Sequence, residues 1–98
     1  MYARLLTFRL GPGTRETGEK LADEFYPLMK SLKGFRSVAF LMWDEEAGEF
    51  GSFSLWETKE DAEAAGDVLR ARFQETAAAQ SLQAPPSLRV MEVYEPTA

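Results

Sequence analysis

The chain of 98 residues predicts an α+β domain with the element order βαββαβ. Three observations carry the prediction. Four short runs, 2–10, 35–44, 50–57 and 88–95, hold apolar residues at or near a period of two, as strands do. Two longer stretches repeat their apolar residues at spacings of three and four, as helices do. Turn-forming residues separate the segments. This order is the ferredoxin-like, split βαβ arrangement: a four-stranded antiparallel sheet with both helices on one face. Its length and a composition of 45% hydrophobic and 28% charged residues suit one globular domain spanning 1–98.

The first strand carries Tyr2, Leu5, Leu6 and Phe8 and stops at Gly11-Pro12-Gly13. Thr14 is placed to cap a helix whose dipole favours Glu16 near its start. Leu21, Phe25, Leu28, Met29 and Leu32 form its apolar stripe, and Gly34 ends it. Pro27 lacks a backbone donor and is expected to kink or divide this helix. Strand 35–44 puts Phe35, Ser37, Ala39, Leu41 and Trp43 on one face and Arg36, Val38, Phe40, Met42 and Asp44 on the other. The acidic stretch Asp44–Glu49 is a hairpin tip, with Gly48 available for positive φ. The third strand sets Phe50, Ser52, Ser54 and Trp56 on one face. Thr58 caps a second helix with the stripe Ala62, Ala65, Leu69 and Phe73, expected to run to about Ala78. An extended connection over 79–87 then leads into the last strand, closed by Pro96.

Two helices cover one sheet face, yet the second strand is apolar on both. The open face would carry either Val38, Phe40 and Met42 or Leu41 and Trp43. A patch of that kind marks an association site, and two copies related by a two-fold axis would bury it. A homodimer is expected; the alternative is a monomer that tolerates apolar residues on its surface.

Composition excludes several chemistries. The net charge of −5 disfavours nucleic acid as a partner. With no Cys and no His, thiol chemistry, Ser-His and Cys-His triads and the usual transition-metal ligands are absent. Neither a metal nor another cofactor is expected. Charges at Arg4 and Arg9 interrupt the N-terminal apolar stretch, and no run approaches a bilayer span, so the expectation is a soluble, cytoplasmic protein without membrane association.

The motifs Lys33-Gly34-Phe35, Leu41-Met42-Trp43-Asp44, the acidic hairpin with Gly48, and Ser54-Leu55-Trp56-Glu57-Thr58-Lys59-Glu60-Asp61-Ala62 resemble the antibiotic-biosynthesis-monooxygenase-like family of the dimeric α+β barrel superfamily. The resemblance extends over nearly the whole chain. It implies a dimeric barrel and one of two activities: cofactor-independent oxidation of aromatic, often quinol-like substrates, or oxidative haem breakdown. Sites in that family often use an Asn on the first strand and a Trp ending the third. Trp56 matches the Trp, but the chain has no Asn and offers Leu5, Leu6, Thr7 and Phe8 in that stretch. Haem-degrading members ligate iron with a second-helix His, where this chain reads Ala65-Gly66-Asp67.

Candidate site residues follow, each with a plainer alternative. Trp56 is either an indole wall for an aromatic ligand or a core aromatic. Trp43 is a second ring for binding, or packing. Ser54 on the face of Trp56 leaves space that Phe25, Leu69 and Phe73 would also line, or it answers close helix packing. Tyr94, and Tyr26 with it, would orient a phenolic ligand or sit with an exposed hydroxyl. Arg9 or Arg4 would hold an anionic group or pair with Glu92. The expected function is a small cofactor-independent monooxygenase in which Trp56, Tyr94 and Arg9 act on the substrate that Phe25, Trp43, Ser54, Leu69 and Phe73 bind. A non-catalytic small-molecule-binding or dimerisation module is the alternative. A muconolactone-isomerase-like reaction rests on fold analogy alone.

Overall fold

The computed structural model describes residues 1–97. Its elements are β1 (Tyr2–Arg9), α1 (Arg15–Ser31), β2 (Phe35–Asp44), β3 (Glu49–Trp56), α2 (Lys59–Gln74), a 3₁₀ helix (Ala77–Ser81) and β4 (Ser87–Glu92). The strands form one antiparallel sheet in the order β2-β3-β1-β4, the ferredoxin-like arrangement. α1 packs chiefly on β2, and α2 on β1 and β3.

Register fixes which side chains face the helices. On β1 these are Tyr2, Arg4, Leu6 and Phe8, opposite Trp56, Ser54, Ser52 and Phe50 of β3. β3 thus presents large, small, small, large along its covered face. The core divides accordingly. Trp56 gathers Met29, Ala62, Ala65 and Leu69 at one end, and Phe50 gathers Leu10, Leu21 and Ala78 at the other. Between them the two serines leave the middle of the sheet thinly covered.

Four expectations need correction. Thr14 stands at the helix start, but its hydroxyl donates to the Gly11 carbonyl at 2.6 Å and caps nothing. Pro27 does not divide α1. It lies on the exposed side of the helix, as does Asp23, the residue whose carbonyl it cannot bond. A register irregularity between Phe35 and Ser37 turns Phe35 to the helix side, where its ring meets Trp56 edge-on at 5.5 Å. α2 stops at Gln74, short of Ala78. Thr76 turns its amide and its hydroxyl back onto the Phe73 carbonyl, and the 3₁₀ turn that follows drops Ala78 into the core. Part of the expected extended connection is therefore helical.

Other local expectations are met. Thr58 accepts the Asp61 amide at 3.1 Å, a working N-cap. Gly48 has φ 68°, and a side chain there would overlap the Gly11 carbonyl, so this tip requires glycine. No helix among the described residues is long and apolar enough to cross a membrane.

Candidate functional site

A cavity of about 460 Å³ lies between the helices and the thinly covered middle of the sheet. Its walls are apolar because they are the facing stripes of the two helices, with Phe25 of α1 and Leu69 and Phe73 of α2, closed below by Leu6 and Phe8 of β1. Phe25 and Phe73 meet edge-on at 6.4 Å, and Phe73 also contacts Phe8 at 5.6 Å. Neither helix roofs β4, so Leu88 and Val90 stay partly exposed along its rim. Volume and lining fall within the range of small-molecule sites.

Two polar groups converge on this apolar space. Ser52, nearly buried, contributes from β3. Arg4 contributes from β1 and is only 5% exposed. Among the described residues no carboxylate pairs with the Arg4 guanidinium, and burial, then the positive charge of Arg70, pull its pKa below the usual arginine value. Arginine nevertheless stays cationic in proteins. Drawing a guanidinium away from bulk water is unfavourable unless a partner or ligand replaces the lost hydration. The guanidinium lies against α2 at Gly66, where a β-carbon would stand 3.2 Å from Nη2 and 3.5 Å from Cζ. Gly66 therefore makes room for Arg4, a reason for a residue that costs a helix interior about 1 kcal/mol relative to Ala. At the mouth, Arg70 is paired with Asp67 at 2.8 Å, and Glu63 is exposed.

The sequence-derived candidates separate into two groups. Phe25, Leu69 and Phe73 come together as cavity walls. Trp56 does not line the cavity. It is fully enclosed, and its indole N–H donates to Ser54 Oγ at 2.9 Å, which also removes Ser54 from the cavity surface. The space expected beside Ser54 is filled by the neighbouring indole, and the opening lies one step along the strand, over Ser52. Arg9 belongs to the opposite sheet face, exposed and paired with Glu49, rather than with Glu92. Tyr94 lies beyond β4 and is 82% exposed, and Trp43 at the hairpin irregularity is 53% exposed. Tyr26 packs edge-on against Phe40 on the α1–β2 side and carries Lys30 over its ring.

Arg4 and Ser52 are the site residues the sequence underplayed. The available signal was strand alternation. Arg4 shares its face with Leu6 and Phe8, and Arg9 does not. Haem ligated through the second helix does not fit this chain. The stretch Ala65-Gly66-Asp67 offers no imidazole, its glycine backs a guanidinium, and Asp67 is engaged with Arg70.

No protein-family model and no curated protein matches the sequence. Solved structures do match in fold. A protein of Nitrosomonas europaea, provisionally named an antibiotic biosynthesis monooxygenase, superposes with a TM-score of 0.80 at 14% identity, over 99% of this chain and 93% of that one. The monooxygenase of ActVA-Orf6 from Streptomyces coelicolor, solved with nanaomycin D, gives 0.75 at 19% identity over 99% and 90%. SnoaB, a cofactor-independent oxygenase from Streptomyces nogalater, gives 0.74 at 10% identity over 97% and 94%. The chain has the fold of antibiotic-biosynthesis-monooxygenase-like proteins, as its sequence motifs imply.

Proposed function

We propose that this protein is a small monooxygenase-like enzyme that binds an aromatic, quinol-type molecule between its helices and its sheet and oxidises it without a cofactor. The observation that carries the reading is the apolar cavity with its aromatic walls and two inward polar groups. Structures of the same fold include a named cofactor-independent oxygenase and a monooxygenase solved with nanaomycin D. The chemistry needs no outside reductant. Oxidising a phenol to a quinone releases four electrons, which reduce one O₂ to one inserted oxygen atom and one water. Phe25 and Phe73 would hold the ring, Leu69 and Leu6 would exclude water, and Ser52 would orient a ring oxygen. In this reading Trp56 supports the site from the core, and the orienting role expected of Tyr94 or Arg9 passes to groups inside the cavity.

A second reading, a binder without catalysis, is favoured by one observation. Apart from Arg4, the charged side chains on the cavity are Glu63, Asp67 and Arg70 at its mouth, so its interior offers no ready general base. Oxygen uptake separates the two. Each measured against a protein-free control, polycyclic phenols should be consumed one for one with O₂ to give quinone and water, and quinols one for one to give hydroxyquinone and water, in neither case with hydrogen peroxide. Saturable binding with uptake no faster than the control would leave the binder and remove the oxygenase.

A further inference from the structure

The buried guanidinium of Arg4 has a consequence for what the cavity takes. It sits at the end of an apolar chamber, 5% exposed, and among the described residues no acid neutralises it. Two other arrangements would make it unremarkable. An internal ion pair would neutralise it, but among the described residues the arginine ion pairs use Arg9, Arg15, Arg36, Arg70 and Arg72. Snorkelling to bulk water would hydrate it, but Arg4 is only 5% exposed and what surface its nitrogens show borders the cavity, whereas Arg70 beside it is exposed. The chain also forgoes a side chain at Gly66, which leaves the guanidinium its room against α2.

We propose that Arg4 is the specificity-determining residue of the cavity and that its ligand is an aromatic anion, a carboxylate or phenolate whose oxygens meet the guanidinium while its ring lies against the wall formed by Phe25 and Phe73. The inference rests on the cavity being a ligand site, as proposed above, and adds the charge of the ligand and the end at which that charge binds. A planar guanidinium matches a carboxylate through two parallel N–H···O bonds and a phenolate through one or two. Inside a protein, where the local dielectric is lower than that of water, such bonds are stronger than in solvent. A neutral ligand of equal shape would leave the cation unpaired and forfeit that gain.

The test compares 2-naphthoate with its neutral isostere 2-naphthamide, by calorimetry in chloride-free zwitterionic buffer, on the wild-type protein, Arg4→Met and Arg4→Lys. The wild type should prefer naphthoate by about tenfold or more, the range expected of a charge-assisted hydrogen bond. Arg4→Met should abolish or reverse the preference while still binding the amide, and Arg4→Lys should keep part of it. A thermal melt of each variant verifies folding. Arg4→Met without ligand should melt above the wild type, because it removes an unpaired buried charge and keeps the apolar stem. Equal wild-type affinity for acid and amide, a preference that survives Arg4→Met, or no binding of either compound would overturn the proposal. If Arg4→Met fails to fold, the wild-type comparison and Arg4→Lys decide. Oxygen uptake on a neutral phenol that Arg4→Met leaves intact, together with equal acid and amide affinities, would sink the anion inference and spare the oxygenase. An anion preference without oxygen uptake would do the reverse.

Discussion

Ser54 and Trp56 hold each other in place: the hydroxyl accepts the indole N–H, and both residues are sealed from solvent. Their loss should therefore be felt as stability rather than as affinity. Ser54→Ala leaves a buried N–H without a partner and should cost about 1–3 kcal/mol in urea unfolding. Trp56→Phe removes the donor with part of the ring, leaves a void under Phe35, and should cost about 1–3 kcal/mol. Naphthoate affinity should change less than about threefold in either variant. A Trp56→Phe protein of undiminished stability and much weaker binding would return Trp56 to the cavity wall. The sequence could not separate these roles, because alternation gives the face of a side chain and not whether its neighbour fills the space beside it. Ser52 and Ser54 read alike, and the indole covers only Ser54. Arg4 and Arg9 also look equivalent in composition, yet opposite sheet faces leave one buried beside a cavity and the other in an exposed ion pair.

In α2, Gly66 sets helix propensity against the space Arg4 needs. Gly66→Ala should gain up to about 1 kcal/mol from propensity. Its new β-carbon would stand 3.2 Å from the guanidinium, tight enough to shift the Arg4 side chain by a few tenths of an ångström. The expected result is stability within about 1 kcal/mol of the wild type and a several-fold weaker preference for naphthoate over naphthamide. An unchanged preference would show that Gly66 does not position Arg4. Element type was legible throughout, since strand alternation and helical stripes reflect burial on one side. Element ends were not. The Phe35 turn depends on a local pairing irregularity, and the stop of α2 at Gln74 depends on Thr76 bonding back to Phe73 and on Ala78 finding a place beside Leu21 and Phe50. These are tertiary events that no period announces.

The sheet face away from the helices carries Leu5, Leu41, Phe53, Leu55 and Met91, with Phe53 38% and Met91 37% exposed. Of the two alternatives left open by the sequence, the face bearing Leu41 is the uncovered one, and Phe40 belongs to the helix side. Burying this patch in a two-fold dimer is the association the fold invites. Sedimentation at micromolar concentration should give a mass near twice the chain's 11.0 kDa. Phe53→Glu should shift it to a monomer or to unfolded chain, by forcing a charge into the apolar contact. A stable wild-type monomer at that concentration would count against the dimer. Leu41 also borders the cavity, but Phe53 and Met91 do not, so a substitution at Phe53 probes the dimer face separately from the cavity. The overall architecture was readable because it needs only periods and order. The cavity was readable in part, because a large–small–small–large strand face implies a gap without saying where the helices will leave it.

The interior site is tested most directly by following the backbone amides and the Arg4 Nε–H of isotopically labelled protein by NMR as 2-naphthoate is added. The expected result is a saturable set of shifts confined to Arg4 Nε, Leu6, Phe25, Gly66, Leu69 and Phe73, with 2-naphthamide leaving Arg4 Nε unmoved. Shifts centred instead on Trp43, Phe53 and Met91, or none at millimolar ligand, would contradict a binding site between the helices and the sheet.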